Sequence, residues 1–182
     1  MEVTVQFDGI DFAGKDEFLE GGAWDNYQTK ISGVNYRVKP EEVDSYAATT
    51  GYCMYNNDNA EHPEAVRIED SHHRLLGFIP KEELKKYKAW AKGKVLPCVI
   101  GIKPFMADDG DIRLAGYCVV IKARDEEELA SQVQHYVTRY YEKYKQAISE
   151  FKKPGKTNNA GCATNLIVVI IALAALLRVI CE

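Results

Sequence analysis

Tyr55-Asn56-Asn57-Asp58-Asn59-Ala60-Glu61-His62-Pro63-Glu64-Ala65-Val66-Arg67-Ile68, then a polar turn, then Leu75-Leu76-Gly77-Phe78-Ile79-Pro80: this stretch decides the fold. Val66 and Ile68 alternate with Arg67 and Glu69, the period of a half-buried strand. Asp70-Ser71-His72-His73 carries the polar residues of a chain reversal, and Leu75 to Ile79 returns antiparallel. Pro80 ends that strand, because proline cannot donate to a ladder. On the other side, Asn56 to Asn59 should order themselves as a loop, since Asn and Asp side chains bond their own backbone two residues on.

Working outward, Lys30 to Val38 reads as the first strand of the domain, and Thr49 to Tyr55 as the next. Between them Pro40-Glu41-Glu42 marks a helix start, with proline early and carboxylates near the positive end of the dipole. Lys81 to Lys92 is a helix with Leu84, Tyr87, Lys88 and Ala91 on one stripe, and Gly93 is its C-cap candidate. Val95 to Phe105 and Ile112 to Ala123 are long apolar strands joined by Ala107-Asp108-Asp109-Gly110-Asp111. About six short strands with flanking helices predict a mainly β domain, a small barrel rather than a parallel α/β fold.

Asp125 opens a second helix, with Asp125 and Glu128 at capping-box spacing. Its apolar stripe runs through Leu129, Val133, Tyr136, Val137, Tyr140, Tyr144, Ile148 and Phe151. The stripe is expected to pack on the barrel and to continue beyond it as a stalk or as a surface for a protein partner. Lys152 to Asn159 has linker composition. From Ala160 to Leu177 there is no charge, and Ala160 to Ile180 reaches the length of roughly 20 residues needed to cross a bilayer. Lys152, Lys153 and Lys156 precede this span, so the folded domain is expected on the cytoplasmic side. The expected organisation is therefore an acidic arm at 1–28, a barrel domain at 29–124, an amphipathic helix at 125–152, a linker at 153–162 and a transmembrane tail anchor at 163–181.

Charge is unevenly spread along a chain of 182 residues with net −4. Residues 1–28 hold seven carboxylates against Lys15, whereas residues 81–103 hold seven lysines against Glu82 and Glu83. A basic surface on an acidic protein can mark a polyanion-binding face, and equally a solvated amphipathic helix. The five cysteines show no Cys-x-x-Cys pair or metal-ligand spacing, and Cys53, Cys98 and Cys118 sit in apolar runs. With no N-terminal signal sequence, they point to a reducing compartment. His62, His72, His73 and His135 form no metal-site pattern, and neither a complete phosphate-binding loop nor a dinucleotide fingerprint is present. No enzyme and no cofactor is expected.

The ordered pieces Gly33-Val34-Asn35-Tyr36-Arg37, Asn57-Asp58-Asn59, Glu64-Ala65-Val66-Arg67-Ile68, Leu76-Gly77-Phe78-Ile79-Pro80-Lys81-Glu82 and Ile102-Lys103-Pro104-Phe105 resemble the HIRAN domain, across about Thr29 to Ala123. A small stand-alone chain of this kind looks bacterial. The resemblance implies an OB-like barrel that binds nucleic acid, single-stranded or end-containing DNA in particular. In that family an Arg-Tyr pair on the first strand contacts the strand end, and Asn35-Tyr36 occupies the matching step. A backbone-contacting lysine after the fourth strand matches Lys81, and Lys85 and Lys88 extend that basic face. The chain departs from the pattern where Glu61 and Asp111 stand in place of aromatic contacts, and where His62 replaces the acid that receives the terminal hydroxyl. The nucleic-acid candidates are thus Asn35, Tyr36, His62, Lys81, Lys85 and Lys88. The competing reading is a membrane-tethered protein-interaction or scaffold module that no longer binds DNA. In a third, the lysine face lies against anionic lipid headgroups.

Overall fold

The computed structural model describes residues 7–13, 26–55 and 62–152. The chain divides into one unit spanning Met1–Phe151 and another spanning Lys152–Glu182, and the structure below is that of the first. The Asn56 to Asn59 loop, Glu61, most of the acidic arm, the linker and the apolar tail lie outside the described residues. Among those described, no helix is long and apolar enough to cross a membrane.

Six strands form one antiparallel sheet: β1 (Tyr27–Ile31), β2 (Thr49–Tyr55), β3 (Val66–Asp70), β4 (Leu75–Phe78), β5 (Leu96–Met106) and β6 (Ile112–Val120). Their order is β1-β6-β5-β2-β3-β4. The sheet curls until its two edges touch. Ser32, just past β1, donates to the Phe78 carbonyl at 2.9 Å, and Phe78 donates back to the Ser32 carbonyl at 3.0 Å. Gly77 permits this approach, because a Cβ there would stand 2.3 Å from the Ser32 carbonyl oxygen. The mainly β expectation holds, as a curled six-stranded sheet with flanking helices.

The interior is filled by alternate residues of every strand, among them Ile31, Cys53, Ile68, Leu76, Ile100 and Cys118. β5 is buried on both faces over most of its length, which explains its unbroken apolar sequence. Its outer face is covered by α2 (Glu126–Lys152): a Cβ on Gly101 would fall 2.3 Å from the Tyr144 ring and 2.8 Å from that of Tyr140. The helix stripe is buried from Leu129 to Ile148 except at the half-buried Tyr136. Asp125 caps α2, its carboxylate accepting from the Glu128 N–H at 2.9 Å. The Glu128 carboxylate reaches one residue further back than a capping box requires, to the Arg124 N–H at 2.6 Å.

α1 (Leu84–Ala91) closes one end of the curl. Tyr87 and Ala91 are fully buried, and Tyr87 meets Tyr27 edge-on at 5.3 Å. Its left-handed cap is Lys92 (φ 53), with Gly93 (φ 80) following, so the turn needs one residue more than the sequence reading gave it. Residues 7–13 do not add a strand. They are tied to the fold by backbone bonds from Asp11 to Val95 and from Ala13 to Ala123, both 2.9 Å.

Two expectations are corrected. The first strand was expected over Lys30 to Val38, but it occupies Tyr27–Ile31 and the chain then turns. Glu69 was expected to face outward with Arg67, yet it is buried. It keeps its outward face opposite Tyr52 of β2, and Arg67 (3.2 Å) and His73 (3.4 Å) pair with its carboxylate there.

Candidate nucleic-acid interface

The site is made by the turn that replaces the expected end of the first strand. Gly33 takes φ 86 and ψ 8, a left-handed conformation that glycine adopts without steric cost, and Val34–Tyr36 continue as one 3-10 turn. Successive side chains of a 3-10 turn point about 120° apart, three residues per turn. Val34 therefore enters the core, while the Asn35 side-chain oxygen accepts the backbone N–H of Leu114 on β6. Tyr36, between these two directions of anchoring, is left 89 % exposed.

Beneath Tyr36 lies a groove of about 600 Å3, walled by Asn35, Val38 and Pro40 on one side and by Asp111, Ile112, Arg113 and Leu114 on the other. The β5–β6 hairpin end beside it exposes Phe105 (40 %), Met106 (49 %) and Ile112 (43 %). The guanidinium of Arg113 is already paired with the Asp109 carboxylate. The groove thus offers an aromatic face and apolar contact, with no surplus of positive charge among its lining residues.

The segment carrying Tyr36 is held from behind. Arg74, at the start of the β4 arm, grips both Glu42 oxygens at 3.1 and 2.9 Å and donates to the Arg37 carbonyl at 2.7 Å. Arg74 and the backbone of Lys39 hold the Glu42 carboxyl down to about 2, well under its ordinary range. Tyr46 donates to Asp70 at 3.0 Å, and Asp70 also accepts the N–H groups of His72 (2.9 Å) and Arg74 (3.0 Å). Arg37 lies over the Phe78 ring at 5.2 Å. This network fastens residues 37–46 to the β3–β4 hairpin and so fixes where Tyr36 stands.

The structure brings Asn35, Tyr36 and Asp111 to one groove, but not the lysines. Lys81 is exposed in the turn after Pro80; Lys85 is exposed on α1; and the half-buried Lys88 directs its ammonium to the Tyr55 ring at 5.8 Å. α1 abuts Tyr27, which pairs with Val120, whereas Asn35 is bonded to Leu114. Six residues along β6 correspond to roughly 20 Å. Lys85 and Lys88 therefore form a second face. His62 is exposed, its Nδ1 3.9 Å from the Glu64 carboxylate. Sequence reasoning missed Val38, Pro40, Ile112 and Arg113; the break in burial along β6, from exposed Ile112 to buried Leu114, follows from strand pairing and has no local signal.

Among the described residues no group of three His, Cys, Asp or Glu side chains could hold a metal ion. Cys53, Cys98 and Cys118 are free thiols buried together. Burial, with Cys53 alongside, pushes the Cys98 thiol well up; a hydrogen bond to Cys53, then burial, does the same for Cys118. These thiols pack as core, as their apolar sequence context implied.

Fold and site together describe a curled six-stranded β domain that carries an exposed tyrosine over a groove. No family model matches the chain, and no curated protein matches it. Among solved structures it is similar to the crystal structure of the HIRAN domain of human HLTF, with 13 % identity and a TM-score of 0.32 over 65 % of this chain and 88 % of that one.

Proposed function

We propose that this chain is a non-catalytic, HIRAN-like binding module for single-stranded or end-containing nucleic acid, DNA foremost, in which Tyr36 stacks on an unpaired base. The observation that carries this reading is the 89 % exposure of Tyr36 above a groove, on a turn clamped from behind. A large aromatic ring held out to water serves burial against a ligand, and every base offers a π-face to it. Lys85 and Lys88 make phosphate contacts on the separate basic face, and the exposed His62 and Lys81 add contacts to the strand outside the Tyr36 groove. The apolar segment at 163–181 tethers the domain to the cytoplasmic face of a membrane; alkaline carbonate extraction of the full chain from membranes tests that.

The two faces are separable by salt. A lysine that contacts a single-strand phosphate contributes a slope of about −0.7 to log K against log salt. Fluorescence anisotropy with a 3′-ended oligonucleotide should show a shallower slope for Lys81→Gln, Lys85→Gln and Lys88→Gln, and an unchanged slope with lower affinity for Tyr36→Ala. No binding at low salt refutes the reading. The hairpin end favours one other: Phe105, Met106 and Ile112 beside Tyr36 also suit an apolar protein partner. A stoichiometric protein, free of nucleic acid, recovered in a Tyr36-dependent manner supports that scaffold role.

A further inference from the structure

A second groove lies away from Tyr36, between α2 and the outward face of β1, and its lining is basic and rich in tyrosine. Strand periodicity turns Gln28 and Lys30 outward while Tyr27, Thr29 and Ile31 enter the core. Helix periodicity places Tyr136, Arg139, Tyr140, Lys143 and Tyr144 along one flank of α2, at spacings of three and four. The two walls enclose about 260 Å3. Lys30, Arg139 and Lys143 thus line it together, against the single carboxylate of Glu83.

Two features separate this groove from an ordinary charged surface. Lys30, Arg139 and Lys143 have no carboxylate within ion-pair distance among the described residues, whereas Arg113 and Arg124 each do. The tyrosines are the second feature. Tyr140 is 8 % and Tyr144 2 % exposed, yet no hydrogen bond from either hydroxyl to the described protein occurs, and neither hydroxyl is sealed from solvent. Burial pushes the Tyr144 hydroxyl up to about 12 and raises Tyr140 also, so both remain protonated donors. Cations without a carboxylate partner, Lys143 among them with its ammonium 5.4 Å over the Tyr144 ring, and unspent O–H donors on buried rings suit one kind of ligand: a compact anion with several acceptor oxygens.

We infer that the groove formed by Lys30, Arg139, Lys143 and the Tyr140–Tyr144 pair binds a phosphate group. Its volume falls under the 300–1,000 Å3 of drug-sized pockets and accommodates inorganic phosphate or a phosphorylated small molecule. The same chemistry would hold one phosphate of a passing nucleic-acid strand. The site is independent of the Tyr36 groove, since its walls share no residue with it.

The test titrates the full chain in detergent with inorganic phosphate, a nucleoside 5′-monophosphate and a short single-stranded oligonucleotide, reading tyrosine fluorescence and calorimetric heat. Arg139→Gln and Lys143→Gln should each weaken binding roughly tenfold, the scale of one charge-assisted hydrogen bond. Arg139→Lys should retain most of it. Lys145→Gln, which removes the same charge from an exposed position of the helix outside the groove, should change little. Saturable loss with phosphate or the monophosphate identifies a free ligand; the same loss with the oligonucleotide alone identifies a strand phosphate. Tyr36→Ala should leave phosphate binding intact, which separates failure here from failure of the first site. The inference is overturned if no probe distinguishes Arg139→Gln and Lys143→Gln from Lys145→Gln.

Discussion

Replacing Gly77 with alanine should open the seam where the curled sheet closes. The added Cβ would stand 2.3 Å from the Ser32 carbonyl oxygen and 2.6 Å from Cγ2 of Ile31, against an ordinary contact near 3.5 Å. The first obstacle is backbone and the second a fully packed core residue, so neither can swing aside. The edges must separate by about 1 Å, which strains both Ser32–Phe78 hydrogen bonds. Overpacking of this kind costs about 1–3 kcal/mol. The stiffer unfolded chain of alanine returns about 0.4–1 kcal/mol, leaving a net loss of roughly 1–2 kcal/mol. In a domain of this size that corresponds to a fall in Tm of about 2–8 °C. Hydrogen exchange localises the effect: the Ser32 and Phe78 amides should lose protection while Val99, in the centre of the sheet, keeps it. Unchanged Tm with unchanged protection at Ser32 would refute closure through this contact. Because Tyr36 lies four residues beyond Ser32, the same variant should also weaken oligonucleotide binding.

Glu42, held at about 2 by Arg74, contributes stability that is complete above its ordinary value of 4.5 and is lost as pH falls through about 2. Carboxyl titration by NMR should find this low value, and Arg74→Gln should return it toward the ordinary range. Asp125→Ala removes the acceptor for the Glu128 N–H and should cost about 0.5–2 kcal/mol in urea denaturation, with fraying confined to the first turn of α2. Alkylation mapped by mass spectrometry should leave Cys53, Cys98 and Cys118 unmodified in the native protein and label all three in denaturant; rapid native labelling of any one contradicts their burial.

What was legible in the sequence was what local pattern controls. Thr49 to Tyr55 matches β2 residue for residue, and the Asp70–His73 reversal sits where its polar residues place it. The long apolar runs of β5 and β6 were visible because α2 covers an outer face that would otherwise alternate. The first strand was misplaced for a physical reason. Val34, Tyr36 and Val38 alternate as strand residues do, but Gly33 turns the chain and puts Val34 and Val38 into the core by a 3-10 route. The site depends on contacts distant in sequence. Asn35 is drawn to Leu114 across 79 positions, and Arg74 reaches Glu42 across 32. No local signal marks Ile112 or Arg113 as neighbours of Tyr36. Lys85 and Lys88, grouped with Tyr36 by their place in the family pattern, stand apart because α1 packs at the other end of β1.

The affinity of three versions of the chain for a 3′-ended single-stranded oligonucleotide at low salt tests the central claim most directly. With Tyr36 acting as a stacking surface, Tyr36→Phe should bind as the parent does, and Tyr36→Ala should lose about 1–3 kcal/mol, a factor of roughly 5 to 150. Equal affinity for the parent and Tyr36→Ala would contradict it, and would move the interface to the lysine face of α1 or away from nucleic acid altogether.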